Sequence, residues 1–186
     1  MQFPVHTTDS APEAARPTLA GAQKNFGFVP NLLGKMATAP ALLKAYTQLG
    51  ALFDQSSFTA TERQVVLLTV SAVNGCDYCV AAHTVIAGMQ QVPAPVVAAI
   101  RDDAPPDDPK LETLRRFTAA VVTSRGWPDA ADLESFTAAG YGAQQALEVV
   151  LGVGMKTLSN YTNHIAGTPL DDAFRPAACT RPASQR

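Results

Sequence analysis

Charged residues are scarce in this 186-residue chain, and several common sequence signals are missing from it. Charged side chains make up 16% of the residues, the net charge is −2, and no block of basic residues occurs. These properties argue against nucleic acid or an anionic membrane as a partner. No apolar stretch reaches about 18 residues without a break or a charge, so we expect no transmembrane helix.

Cysteines are also few, at three in the whole chain. The N-terminus has neither the charged nor the apolar region of a signal peptide. A disulfide scaffold is therefore not expected, and a reducing compartment, the cytoplasm, is the predicted location. The sequence contains no glycine-rich phosphate loop, and we predict no cofactor.

The chain is rich in hydrophobic residues, at 47%, and many of them recur at helical spacing. This pattern predicts a helix over residues 40–54 and a last long helix over residues 144–165. Between them, Thr59 and Glu62 form a capping box that should start a helix running through Val73. We predict an all-α fold with a single domain over residues 1–186. About residues 1–16 should form an N-terminal arm and about residues 170–186 a C-terminal tail.

Residues 62–83, ERQVVLLTVSAVNGCDYCVAAH, contain most of the reactive side chains of the sequence. The Asn-Gly break should leave Cys76 and Cys79 in the first turn of a new helix, whose positive end favours a thiolate. His83 follows Cys79 by four residues and therefore lies on the same helix face. This pattern predicts a redox-active dithiol. One cysteine attacks an oxidant such as a hydroperoxide, the other closes a disulfide, and the imidazole moves the proton.

Two other interpretations of the cysteines stay open. A Cys-x-x-Cys pair can be half of a zinc site, which needs four ligands. The motif supplies three ligands, Cys76, Cys79 and His83. A fourth is not at hand, because Cys179 lies in the predicted tail and His164 is remote in sequence. The two cysteines could also be buried and unreactive. We predict no metal, and His164, near the end of the last helix, is a possible supporting residue.

The stretch resembles the carboxymuconolactone decarboxylase-like superfamily, specifically its alkylhydroperoxidase D (AhpD)-like, peroxidase-related branch. The matching segments are ERQVV at 62–66, VSAVNGC at 70–76, YC at 78–79 and AAH at 81–83, with weaker similarity from FGFVPN at 26–31 to NYTNH at 160–164. The resemblance covers most of the chain. It implies an AhpD-like helical fold with a helical hairpin around the Cys-x-x-Cys motif, and a homo-oligomer that is a trimer or a hexamer.

The resemblance also implies roles for the site residues. In that family the second cysteine forms the sulfenic acid, the first resolves it, and the histidine belongs to a proton relay with a glutamate. Carried over to this chain, Cys79 is the peroxidatic cysteine, Cys76 the resolving cysteine and His83 the base.

Two positions depart from the family pattern. The relay glutamate is replaced by Gln64, which can form hydrogen bonds but cannot take up a proton. If the chain reverses at the Asn-Gly break, Gln64 lies opposite His83, and Glu62 lies about one turn further along. Glu62 is therefore the substitute carboxylate, or it only caps its own helix. Tyr78 stands where AhpD itself has a histidine, and it either packs or donates a hydrogen bond near the thiols.

The leading functional prediction is a thiol-dependent alkylhydroperoxidase, an antioxidant oxidoreductase that reduces hydroperoxides through a Cys76–Cys79 dithiol–disulfide cycle. A dithiol reductant, either a protein or a small molecule, would restore the dithiol. One alternative is a decarboxylase of the same superfamily, although no arginine cluster for a carboxylate stands beside the motif. Another is a non-enzymatic protein that senses redox state or assembles through its disulfide. Lys156 is expected to be solvated or paired.

Overall fold

The computed structural model describes residues 1–178, and this part of the chain is helical without a β-strand. The all-α prediction is therefore confirmed. The α-helices are α1 (Arg16–Phe26), α2 (Asn31–Met36), α3 (Pro40–Asp54), α4 (Ala60–Val73), α5 (Asp77–Met89), α6 (Ala94–Arg101), α7 (Pro109–Thr123), α8 (Ala130–Ala138) and α9 (Ala143–Ala166). Two 3-10 helices span Glu13–Ala15 and Asp172–Ala177. None of the helices described is both long enough and apolar enough to cross a membrane.

Helix α4 forms the centre of the fold because it is buried over most of its length. Helices α5, α6, α7 and α9 pack around it. The approach of α9 is close at Gly152, where a Cβ atom would lie 2.8 Å from Val66 Cγ1 and 3.0 Å from Phe53 Cε2. Since real Cβ atoms do not tolerate such contacts, the missing side chain at Gly152 allows α9 to sit against α3 and α4.

Capping side chains fix the starts of several helices. Thr59 Oγ1 accepts a hydrogen bond from Glu62 N at 3.2 Å, and Glu62 Oε2 accepts one from Thr59 N at 2.9 Å. The predicted capping box is therefore present at the start of α4. Asp129 caps α8 in the same manner by accepting a hydrogen bond from Asp132 N at 2.8 Å. Helix α3 has its predicted bounds, and α9 is one residue longer at each end than predicted.

The N-terminal segment is packed on the domain, which corrects the arm predicted at residues 1–16. Ala11 and Ala15 are buried, and His6 N donates a hydrogen bond to Gly34 O of α2 at 3.2 Å. A Cβ atom at Gly34 would lie 2.8 Å from His6 O, so the segment passes directly over α2. Helix α1 follows and is not among the predicted helices.

The described part of the predicted C-terminal tail, residues 170–178, is also packed. Phe174 is buried, and its ring contacts those of Tyr78 and Phe28 edge-on at centroid distances of 6.0 and 5.9 Å. Asp171 Oδ1 accepts a hydrogen bond from Asn31 N, at the start of α2, at 3.0 Å. These contacts with residues far away in sequence hold the segment in place. Cys179, the third cysteine of the prediction, lies outside the described residues.

Candidate functional site

The turn between α4 and α5 places both cysteines at the start of α5. Gly75 has a φ of +65°, a conformation that favours glycine because it has no Cβ atom. Cys76 is the N-cap residue of α5, and Cys79 lies in the first helical turn. The predicted hairpin around the motif is therefore confirmed. Both thiols are reduced and buried, with 1% of Cys76 and 2% of Cys79 exposed.

Helix α9 supplies polar side chains that contact the dithiol. Asn163 Nδ2 donates to Cys79 Sγ at 3.2 Å and to Cys76 Sγ at 3.5 Å. One turn earlier, Asn160 Oδ1 accepts a hydrogen bond from Asn74 Nδ2 at 2.9 Å, which ties the turn to the same helix. Asn163 therefore holds the two sulfur atoms against α9.

Lys156, one turn earlier again on α9, was expected to be either solvated or paired, and the structure excludes the solvated alternative. Its side chain is fully buried instead of solvated, and its Nζ makes no hydrogen bond to oxygen or nitrogen within residues 1–178. It lines a cavity together with Cys79 and His83, and its positive charge lowers the pKa of both groups. Since a buried ammonium without a counter-ion is unfavourable, this charge favours an anion in the cavity, and Cys79 is the thiol whose ionisation it promotes.

The pKa values of the two thiols are shifted in opposite directions. Burial raises the pKa of Cys79, but the hydrogen bond from Cys76, the charge of Lys156 and the hydroxyl of Ser159 outweigh burial and hold this pKa well below its usual value. The shared hydrogen bond with Cys79, together with burial and the adjacent negative charge, raises the pKa of Cys76. Cys79 is therefore the cysteine that forms the nucleophilic thiolate more readily, and Cys76 is the one that keeps its proton.

His83 is held by a chain of two glutamine side chains. Gln64 Nε2 donates to Gln90 Oε1 at 3.0 Å, which turns Gln64 Oε1 towards His83 Nδ1, also at 3.0 Å. His83 Nδ1 therefore carries the hydrogen and donates it, and Nε2 keeps its lone pair. Burial first, and then the charge of Lys156, lower the pKa of the imidazole well below its usual value, so it is neutral. Gln64 thus lies opposite His83, as the reversal of the chain predicts.

Glu62 does not join this group, which corrects its prediction as a catalytic residue. Its Oε2 accepts hydrogen bonds from Thr59 N and Oγ1, both at 2.9 Å. Its Oε1 accepts one from the Tyr141 hydroxyl at 3.0 Å and lies 3.6 Å from Lys110 Nζ. Burial raises the pKa of Glu62, but these partners outweigh burial and lower it. Both carboxylate oxygens therefore serve the helix cap and its surroundings.

Tyr78 connects the dithiol to the C-terminal segment. Its hydroxyl donates to Asp171 Oδ2 at 2.6 Å and accepts a hydrogen bond from Leu32 N at 3.3 Å. The hydroxyl is thus occupied by Asp171, and the side chain packs against Phe174. Of the two predicted roles, packing is the one observed, with the added function of fixing residues 171–174 beside the motif.

Two cavities adjoin the dithiol, and each is lined by one of the two cysteines. The Cys79 cavity has a volume of about 490 Å³ and is lined by Cys79, His83, Gln64, Lys156, Tyr46 and mainly apolar neighbours. The Cys76 cavity has a volume of about 470 Å³ and is lined by Cys76, Asn163, His164, Gly167, Thr168 and their neighbours. Tyr78 lines both cavities. Each of the two cysteines therefore lines a cavity that the other does not.

The exposed His164 borders the Cys76 cavity, and it does not line the Cys79 cavity with His83. Its ring stacks on Tyr161 with a centroid distance of 6.5 Å. Within residues 1–178, no three side chains of the His, Cys, Asp or Glu type are arranged to hold a metal ion.

The residues that the sequence interpretation missed share one signal. Buried small and polar residues recur every three or four positions along α9, at Gly152, Lys156, Ser159 and Asn163. The same face of the helix carries the apolar Val149 and Met155. Polar residues at helical spacing on an apolar face indicate a buried polar stripe. That pattern could have identified Lys156 and Asn163 as residues that face something other than solvent.

The helices and their packing define an all-α protein with an AhpD-like fold. An uncharacterized peroxidase-related protein from Ralstonia eutropha JMP134, described as an alkylhydroperoxidase AhpD core, matches with a TM-score of 0.81 and 24% identity over 93% of both chains. A peroxidase-related protein from Silicibacter sp. TM1040 matches with a TM-score of 0.78 and 20% identity, over 94% of this chain and 92% of that chain. A cysteine-to-alanine variant of the debrominase Bmp8 with 2,3,4-tribromopyrrole has a TM-score of 0.79 and 20% identity over 95% of both chains.

A family model matches the central segment of the chain. Residues 40–120, which run from α3 into α7 and include the dithiol, match the model of the Carboxymuconolactone decarboxylase family. Together with the structures of peroxidase-related proteins, this match confirms the predicted resemblance to the superfamily and its AhpD-like branch. No curated protein sequence matches the chain significantly.

Proposed function

We propose that the protein is a thiol-dependent peroxidase that reduces hydroperoxides through a dithiol–disulfide cycle of Cys76 and Cys79. The observation that supports this most directly is the burial of Lys156 in the cavity that Cys79 also lines. Lys156 is the one cationic side chain among the described residues that line the Cys79 cavity, and it favours the thiolate of one cysteine while the other remains a thiol.

The proposed first step is attack by the Cys79 thiolate on the terminal oxygen of the hydroperoxide. An S–O bond forms, the O–O bond breaks, and its electron pair leaves on the alkoxide, which takes up a proton and departs as the alcohol. Cys79 is then a sulfenic acid. Cys76 attacks the Cys79 sulfur atom, the Cys76 thiol proton and the sulfenic hydroxyl leave as water, and the disulfide closes. Asn163, which contacts both sulfur atoms, keeps them adjacent for this second step.

His83 handles the proton of the first step. Its Nδ1–H donates to Gln64, so Nε2 is free to take up a proton from solvent when the hydroperoxide is bound. Because burial and Lys156 lower the pKa of the imidazole, the imidazolium is a strong, short-lived acid that passes this proton to the alkoxide. Gln64 therefore positions the base without taking up a proton, which suits a glutamine at this place in the relay.

The test uses cumene hydroperoxide as the oxidant and dithiothreitol as the reductant, in a background with Cys179→Ser. We expect Cys79→Ser to lower the rate of peroxide consumption by at least about 100-fold. Cys76→Ser should still form one sulfenic acid per chain, detected by dimedone labelling of Cys79, but should not close a disulfide. Circular dichroism checks that both variants are folded. Full activity of Cys79→Ser would disprove the proposal.

A second candidate is reductive dehalogenation, because the Cys79 cavity has a volume typical of sites for small organic ligands and a mainly apolar lining. Bmp8, which shares the fold, is a debrominase. In such a reaction Cys79 would take the halogen from the substrate while the substrate carbon takes up a proton. Cys76 would then displace halide and close the same disulfide. Release of bromide from 2,3,4-tribromopyrrole, measured against consumption of cumene hydroperoxide, distinguishes the two functions.

A further inference from the structure

The Cys76 cavity is not used by the proposed peroxidase step, which takes place at the Cys79 cavity. About half of its lining is polar and comes from Asn74, Asp77, Asn163, His164 and Thr168, whereas the lining of the Cys79 cavity is mainly apolar. Its volume of about 470 Å³ is enough for a small molecule. Cys76 is the one cysteine that lines it among residues 1–178.

Two polar atoms of residues that line this cavity lack partners. Asn163 is 94% buried, and its Oδ1 accepts no hydrogen bond within residues 1–178, although its Nδ2 is bonded to both sulfur atoms. Thr168 Oγ1 is likewise buried and unpaired within the described residues. Because an unpaired buried acceptor is unfavourable, these atoms suit a bound molecule that brings hydrogen-bond donors close to the sulfur atoms.

We propose that the Cys76 cavity binds a small dithiol reductant, which attacks Cys76 and reopens the Cys76–Cys79 disulfide. This inference rests on the proposed dithiol–disulfide cycle, and it adds the site and the direction of the reductive half of that cycle. Peroxide and reductant reach the dithiol from different sides, the peroxide at Cys79 and the reductant at Cys76.

The reductive step balances as a thiol–disulfide exchange. A thiolate of the reductant attacks Cys76 Sγ, a mixed disulfide forms, and the bond between Cys76 and Cys79 breaks with its electron pair on Cys79. The second thiol of the reductant then attacks the reductant sulfur of the mixed disulfide. Cys76 leaves and becomes a thiol again, and the reductant departs as a cyclic disulfide. Two electrons pass to the protein, and the two thiol protons of the reductant go to Cys76 and to solvent.

The direction of attack follows from the leaving group. The sulfur atom that leaves faster is the one whose thiol has the lower pKa, and at this site that is Cys79, which Lys156 stabilises as a thiolate. Attack on Cys76 therefore expels the better leaving group. Cys76 is only 1% exposed, so a small molecule that enters the cavity suits this step better than a cysteine on the surface of a rigid protein.

The test separates the two half-reactions in the Cys179→Ser background. The disulfide is made with diamide, so that this step does not depend on peroxidase activity. Its reduction by dithiothreitol is then followed by rapid alkylation and mass measurement. Thr168→Trp fills the Cys76 cavity, Ala51→Trp fills the Cys79 cavity, and Ala131→Trp, on exposed α8, is the control outside both.

We expect Thr168→Trp to slow the reduction at least tenfold relative to Ala131→Trp, and to slow it more than Ala51→Trp does. The reverse order, with Ala51→Trp the slower variant, would overturn the proposal. A second measurement needs no substitution in either cavity. Glutathione has one thiol and stops at the mixed disulfide, so peptide fragmentation should locate it on Cys76, whereas an adduct on Cys79 would overturn the proposal. If the wild type consumes no hydroperoxide, the proposed function fails, but both measurements still report on the cavity.

Discussion

Replacing Lys156 by methionine removes one buried positive charge while keeping most of the length of the side chain. Lys156 is fully buried within residues 1–178 and lines the cavity of Cys79 and His83. An unbranched apolar side chain suits this position because it needs no counter-ion. We therefore expect Lys156→Met to fold, and to change the ionisation of Cys79 more than the stability of the protein.

The size of the effect can be worked out from the pairing. An opposite charge within a few ångströms lowers a pKa by about 1–3 units, and each unit corresponds to about 1.4 kcal/mol. Lys156→Met should therefore raise the pKa of Cys79 by this amount, since the charge of Lys156 is one of the main causes of the low value. At a pH below both pKa values, the thiolate fraction should fall by about 10-fold for each unit.

The pH dependence of alkylation gives a sharper test than a single rate. A thiolate of higher pKa is intrinsically more nucleophilic, by about threefold for each unit. The rate profile of Lys156→Met should therefore lie below that of the wild type at low pH and cross above it at high pH. A variant that is merely misfolded would not give such a crossing.

The assay measures iodoacetamide labelling of Cys79 by mass spectrometry between pH 4.5 and pH 9.5, in the Cys179→Ser background. Lys110→Met is the matched control, because Lys110 is half-exposed and contacts Glu62 instead of the thiols. Superimposable profiles for Lys156→Met, Lys110→Met and the wild type would refute the assignment of Lys156 as the counter-ion of Cys79.

Three further predictions concern packing, pH and assembly. Gly152→Ala should lower the free energy of unfolding by about 1–3 kcal/mol, because the added methyl group would contact Val66 and Phe53. Gly154→Ala is the matched control: a methyl group there meets no atom within 4 Å, so this change should raise the free energy of unfolding by about 0.5–1 kcal/mol. Urea unfolding measures both values. The pKa of His83 is lowered in the folded state, so as the pH drops the unfolded chain binds a proton before the folded protein does. The free energy of unfolding should therefore fall below about pH 6.5, by up to about 1.4 kcal/mol for each pH unit. His83→Gln should remove this slope, and an unchanged slope would contradict the buried neutral imidazole. One side of α9 carries an exposed apolar stripe formed by Leu147, Val150, Tyr161 and Ile165. If this stripe is a subunit interface of the predicted homo-oligomer, Leu147→Glu should dissociate the oligomer and reduce its sedimentation coefficient. Ala131→Glu, the control on α8, should not.

Local sequence signals were sufficient for the parts of the fold that depend on near neighbours. The Thr59–Glu62 capping box and the Asn-Gly break could be predicted because each involves atoms a few residues apart. The hairpin that follows from the break also brings Gln64 opposite His83, since spacing along two antiparallel helices is fixed by the turn. These predictions needed no knowledge of how the other helices pack.

The rest of the site could not be predicted because it depends on contacts between distant segments. Lys156 and Asn163 reach the dithiol through the docking of α9, which Gly152 allows. Asp171 reaches Tyr78 from 93 residues away in sequence. Helix α1 gave a weak pattern because only Leu19 and Ala22 are buried on it. Glu62 had two chemically reasonable roles, and only the positions of Tyr141 and Lys110 decide between them.

The burial of Lys156 has a consequence for the energy of the oxidised protein. When the disulfide closes, Cys79 loses its negative charge, and the ammonium stays buried without its counter-ion. The reduced state is then favoured over the oxidised one, and each pKa unit of thiolate stabilisation raises the reduction potential by about 30 mV. The lysine that makes Cys79 reactive should therefore also make the disulfide a stronger oxidant, so that a weak thiol reductant is sufficient to return the protein to its starting state.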